Sequence, residues 1–137
     1  MSKLFYSLGL MSGTSMDGVD ASIIQSDGET KYKVIKDKYF EYNQGIYIGL
    51  TDLRDKIKNI EDIQRHSKEI LKIEKEITLF HAKASAEIMR ESKVNIDFIG
   101  FHGQTIFHNS DIKISKQLGD GILLSQLIKK TVIYDFR

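Results

Sequence analysis

Leu4-Phe5-Tyr6-Ser7-Leu8-Gly9-Leu10-Met11, then Ser12-Gly13-Thr14-Ser15-Met16-Asp17-Gly18, then Val19-Asp20-Ala21-Ser22-Ile23-Ile24-Gln25, reads as strand, turn and strand. The first run is apolar and too short for an ordinary helix, and the last alternates loosely between apolar and polar residues. The turn between them is rich in glycine and hydroxyls. Such a turn can aim backbone N–H groups and hydroxyls at one anion while setting a carboxylate beside it, as a nucleotide phosphate and its metal require. No Gly-Lys-Ser/Thr occurs and no helix follows, so a Walker-type phosphate loop is not indicated. The same residues also suit a plain hairpin, because glycine and aspartate enter left-handed turn conformations at little cost.

Outward from the hairpin, Ser26-Asp27-Gly28-Glu29-Thr30 is a turn cluster, and Lys31 to Tyr42 carries tyrosines and β-branched residues in partial alternation. A third antiparallel strand completing a meander is expected there. From about Gln44, the spacing of Ile46, Ile48, Leu50, Leu53 and Ile57 predicts a first helix, interrupted near Gly49. Glu61 to about Ser92 predicts a longer one, with Ile63, Ile70, Leu71, Ile73, Ile77, Phe80, Ala84 and Ile88 as its apolar stripe. No strict repeat of sevens supports a coiled coil, and a bend or break is expected in so long a helix. Ile96 to Phe101 reads as a strand parallel to its neighbour, because a helix before it implies a crossover. Asp111 to Leu118 reads as extended, Gly119 to Lys130 as a short helix and Thr131 to Phe136 as a last strand. The fold class is therefore α/β, with three antiparallel strands followed by parallel strands joined by helices.

A chain of 137 residues with 20 basic and 19 acidic side chains is one domain with no electrostatic case for nucleic acid or an anionic membrane. It has no cysteine, so disulfides and thiolate metal sites are excluded. Met1-Ser2-Lys3-Leu4 leads directly into the first strand without an apolar leader, and a cytoplasmic location is the expectation. No apolar run reaches membrane-spanning length.

Gly13, Thr14, Ser15 and Gly18 are the candidates to cradle a polyphosphate, since glycine admits close backbone approach and hydroxyls donate to phosphate oxygens. Asp17 or Asp20 could hold Mg²⁺ directly or through water; which one stays open, and Asp20 equally suits the end of a turn. His102, Gln104, Ile106 and His108 are spaced by two, so in an unbroken strand they share one face. Two histidines alone commonly serve core hydrogen bonding or metal ligation, and no third ligand is evident nearby.

The turn from Gly9 to Asp20 resembles the N-terminal signature of the anhydro-N-acetylmuramic acid kinases, within the superfamily of actin, hexokinase and the heat-shock ATPases. Gly100-Phe101-His102-Gly103-Gln104-Thr105-Ile106-Phe107-His108 resembles the family's second marker. Gln117-Leu118-Gly119-Asp120-Gly121 and Tyr134-Asp135-Phe136-Arg137 resemble the third and fourth. The resemblance implies a ribonuclease-H-like lobe of a two-lobe sugar kinase using ATP and Mg²⁺. It carries the nucleotide role onto Gly13, Thr14, Ser15, Met16, Asp17, Gly18, Val19 and Asp20. The anhydro-amino-sugar is assigned to His102, Gln104 and His108, with Asp120 and Asp135 from neighbouring strand ends. Asp120, just before a predicted helix, suits a cap as well. The hairpin and the histidine strand are expected to open onto one hollow.

Family members are more than twice as long, with a second lobe, adenosine-binding loops and a water-activating aspartate whose counterparts would lie beyond Arg137. In the family, water attacks the anomeric carbon while the anhydro bridge opens and its oxygen receives the γ-phosphoryl group. The 137 residues are accordingly expected to be an N-terminal lobe with little kinase activity alone, prone to self-association or to pairing with a C-terminal lobe. A non-catalytic sugar- or nucleotide-binding module is the alternative. Asn109-Ser110, Lys116 and Lys129-Lys130 depart from the family pattern around the second and third markers.

Overall fold

A computed structural model describes residues 3–136; Met1, Ser2 and Arg137, the last residue of the fourth marker, lie outside the described residues. The hairpin forms as read. β1 (Phe5–Ser12) pairs antiparallel with β2 (Gly18–Ser26), which pairs antiparallel with β3 (Tyr32–Glu41). Period-2 burial explains why. Leu8, Leu10 and Ser12 of β1 and Val19, Ala21 and Ile23 of β2 point to one buried face, while Gly9, Met11 and Asp20 point to the other, which is open.

α1 (Gln44–Lys56) starts at Asn43, whose side chain accepts from the Ile46 N–H, and runs unbroken through Gly49. The interruption expected there does not occur; the glycine instead serves the close approach of α3 (Ser67–Ser92), whose Ile73 Cδ1 would lie 3.0 Å from a Cβ at that position. The long helix expected from Glu61 is divided at His66 into α2 (Ile60–Arg65) and α3. Asn59 caps α2, and the buried Asp62 carboxylate accepts from the Lys58 N–H and from Arg65. Those local bonds close off a short helix before α3 begins.

β4 (Phe98–Asn109) lies parallel to β1, with Ser7 opposite Phe98 and Leu10 opposite Phe101. It is twice the length expected and continues through the whole histidine motif. Its outer half pairs antiparallel with β5 (Ile114–Leu118), and its inner half pairs parallel with β6 (Thr131–Tyr134), which follows α4 (Gly121–Ile128). The extended piece expected from Asp111 therefore begins only at Ile114, after a turn closed by the Lys113 N–H on the Ser110 carbonyl.

The mixed sheet runs β3-β2-β1-β4-β5, with β6 also on β4. α1 and α3 cover its buried face, and α4 packs beside α3 and β6. This is the α/β architecture expected, three antiparallel strands and then β4 and β6 in parallel, with β5 added antiparallel to β4. None of the described helices is long and apolar enough to cross a membrane.

Candidate functional site

Two strand ends meet at the first two sequence motifs. Where β1 passes from Leu10 to Ser12, β4 passes from Phe101 to Gln104, so three steps of one strand oppose two of the other. The extra residue is Gly103, at φ +82°, where a Cβ would lie 2.6 Å from the Leu118 carbonyl oxygen; only glycine fits both demands. The bulge changes which side chains share a face. Phe101, Gln104 and Ile106 all turn to the buried face, and half-buried His102 is left on the other. The expected common face of His102, Gln104, Ile106 and His108 is thus broken by the inserted Gly103, and a second irregularity against β5 falls between Thr105 and Phe107.

Gln104 is fully buried, and its amide nitrogen donates to the Gly13 carbonyl at 2.7 Å and to the Thr105 carbonyl at 3.1 Å. The Gly13 carbonyl also accepts from the Met16 N–H at 3.2 Å, which closes the turn. A trans peptide directs its C=O and N–H oppositely, so the inward Gly13 carbonyl sends the Thr14 N–H outward. Gly13, Thr14 and Ser15 are exposed, and the space around Gly13 is open. Met16, at φ 60°, drives its side chain into the core and anchors the turn. Gly18 and Val19 are buried in β2; a side chain at Gly18 would run into the Phe40 carbonyl and the Tyr39 phenol, so this glycine serves strand packing.

Asp17 is exposed and lines a hollow of about 460 Å³ with Glu41, Tyr42, Gln44 and Tyr47. The Ser15 hydroxyl donates to its carboxylate at 2.8 Å and holds its pKa below the ordinary value. Asp20 is the third residue of β2, on the open face opposite Met11 and Tyr39, and does not line that hollow. Among the described residues no three His, Asp or Glu side chains converge as a metal cage. A carboxylate beside a phosphate turn is the donor set that Mg²⁺ uses when it arrives with a nucleotide.

His102 lines a second hollow, of about 260 Å³, at the point where β4 exchanges β6 for β5 as its neighbour. Glu74, Gln117, Gly119, Tyr134 and Asp135 share its wall. The imidazole Nδ1–H donates to the Gly103 carbonyl at 3.1 Å, which leaves Nε2 of the neutral ring a lone-pair acceptor, buried and without a partner among the described residues. His108 is exposed and belongs to a separate shallow hollow with Ser110, Lys113 and Ile114. Asp120 caps α4 by accepting from the Leu123 N–H at 2.9 Å and is not on the hollow's wall. The hollows of Asp17 and His102 have no lining residue in common, so the single shared hollow that was expected is two.

A sequence model described as anhydro-N-acetylmuramic acid kinase matches residues 5–137. The chain belongs to the anhydro-N-acetylmuramic acid kinase family. A relative from Pelagibacter ubique bearing that name is 63% identical over the whole chain, and one from Agrobacterium fabrum is 34% identical over the whole chain. A third, from Rhodospirillum rubrum, is 32% identical over 96% of it. The chain spans 36%, 38% and 34% of the lengths of these three relatives. Ser12, Tyr42 and His81 stand behind the site without being marked by any motif role. Tyr42 and His81 lie outside the four markers, and their only sequence signal is a polar group amid apolar helical or strand spacing.

Proposed function

We propose that the chain is the N-terminal, ribonuclease-H-like lobe of an ATP-dependent kinase of 1,6-anhydro-N-acetylmuramic acid. The reaction gives N-acetylmuramic acid 6-phosphate: water adds to the anomeric carbon, the bridging C–O bond breaks, and the released oxygen takes the phosphoryl group. ATP supplies that phosphoryl group, with Mg²⁺ offsetting the charge on its oxygens. The work assigned to this chain is binding and orientation. The outward Thr14 N–H and the Thr14 hydroxyl face the polyphosphate, and Asp17, kept ionised by the Ser15 hydroxyl that donates to it, faces the cation; Asp20 is the less suited of the two aspartates.

His102 Nε2 is the acceptor for a sugar hydroxyl. The observation that carries this reading is its unpartnered lone pair, since a buried acceptor left unpaired costs about 1–3 kcal/mol and a ligand donor would remove that cost. Asp135, at the end of β6, is the second sugar-facing group. The general base that takes the water proton is assigned to a second lobe, the partner this reading requires, and the cytoplasm, where ATP is made available, is its compartment.

Calorimetry with Mg·ATP and with the anhydro-sugar, each alone, together with coupled ADP release, tests the proposal. Both ligands should bind, turnover by the chain alone should be negligible, and His102→Leu should weaken the sugar about tenfold, the loss of one buried hydrogen bond. Sugar binding unaffected by that substitution would remove the sugar reading of the hollow.

A further inference from the structure

Behind the turn lies a row of buried polar groups that no motif brings forward. His81 of α3 is fully buried, and its Nδ1–H donates to the Ile77 carbonyl at 2.8 Å. That bond fixes the tautomer, because a carbonyl can only accept, and Nε2 is left to accept from the Ser12 hydroxyl at 3.1 Å. The Ser12 oxygen in turn accepts from the Tyr42 hydroxyl at 3.0 Å, with the Gln104 side-chain oxygen 3.2 Å from the same phenol. The other end of the Gln104 amide holds the Gly13 carbonyl. Four segments far apart in sequence therefore converge on one peptide plane. The rings are wedged in place, His81 edge-on to Phe101 and Tyr42 edge-on to Phe80, each at 4.9 Å between centroids.

We propose that His81, Ser12 and Tyr42 are positioning residues which, through Gln104, lock the Gly13 carbonyl inward and so keep the Thr14 N–H directed at the phosphate. The proposal rests on the nucleotide reading of the turn given above. Each member has a direction that the next depends on. With an acceptor at His81 Nε2, the Ser12 hydrogen points away from Tyr42 and leaves its oxygen free to receive the phenol; without it, Ser12 can turn its hydrogen toward the phenol, and the Tyr42 hydroxyl is no longer held between Ser12 and Gln104. The Tyr42 hydrogen is shared as a three-centre bond between the Ser12 oxygen at 3.0 Å and the Gln104 side-chain oxygen at 3.2 Å, so the Gln104 amide is oriented by that shared donor on its oxygen and by two carbonyls facing its nitrogen.

The test uses the 137-residue chain and two readouts. The first is hydrogen exchange of the Met16 amide, which is bonded to the Gly13 carbonyl, in the absence of nucleotide, with the Leu8 and Ile23 amides as internal references for global opening. The second is the Mg·ATP dissociation constant. Tyr42→Phe, which removes one oxygen, and His81→Leu should each speed Met16 exchange relative to the references, and weaken Mg·ATP, by about tenfold, one buried hydrogen bond's worth. His81→Gln places an acceptor near the lost Nε2 and should bring both values back to within about threefold of the parent, a recovery that filling the cavity alone would not produce. Unchanged relative exchange at Met16 in a folded Tyr42→Phe chain overturns the proposal, and so does a His81→Gln chain that behaves like His81→Leu. If the parent chain does not bind Mg·ATP, the nucleotide reading fails, while the exchange data on the free chain still decide whether the network holds the turn.

Discussion

At the scale of single residues, the groups that shape the site are polar side chains kept out of water. Burial pulls the His81 pKa down from 6.5 to about 4. Its folded-state pKa lies below its unfolded value, so the unfolded chain binds the extra proton first as the pH drops. The stability tied to neutral His81 is complete above about pH 6.5 and is lost between there and about pH 4, by on the order of 3 kcal/mol. Urea midpoints at about pH 7 and about pH 4.5 should separate widely for the parent chain and much less for His81→Gln. Ser12→Ala leaves the Tyr42 phenol and His81 Nε2 short of a partner and should cost about 1–3 kcal/mol in the same denaturation. None of this is legible in the sequence. Ser12, Tyr42 and His81 are separated by 30 residues or more along the chain, and a histidine at helical spacing among isoleucines looks like any other core position.

At the scale of elements, the alternation and helical periods are enough to place the meander, the crossover helix and the closing strand, because each buries one face and its pattern records that face. What the pattern cannot record is a bulge. Gly103 sits in a run whose neighbours alternate plausibly, and its positive φ and the closeness of Leu118, set by β5 pairing, arise only in the folded sheet. Even spacing groups the candidate sugar residues together for that reason, whereas the bulge sends Gln104 inward and leaves His102 outside. Gly103→Ala should destabilise the chain by about 1–3 kcal/mol, the cost of a left-handed backbone at a residue with a Cβ, and should shift the His102 ring resonances. Asp120→Ala removes the cap of α4 and should cost about 1 kcal/mol, with no effect on sugar affinity, since Asp120 is committed to the Leu123 N–H. Thermal unfolding and sugar titration of the two variants measure these outcomes.

For the whole molecule, the sheet is half-dressed. Helices cover one face, while Met11, Val34 and Ile133 stand about half-exposed on the other. Apolar surface of this kind, with a net charge of only +1 to oppose contact, favours association. Sedimentation should show a coefficient rising with concentration, and Ile133→Lys should lower that rise. The bond from Gln104 to Gly13 joins residues 91 positions apart. During synthesis the hairpin therefore leaves the ribosome long before its latch has been made. A nascent chain ending short of β4 lacks the Gln104 bond to this loop, and on the proposed nucleotide reading its grip on an anion would arrive only with the late, non-local pairing that closes the sheet. Nucleotide binding as proposed would in this way be deferred until most of the chain has folded.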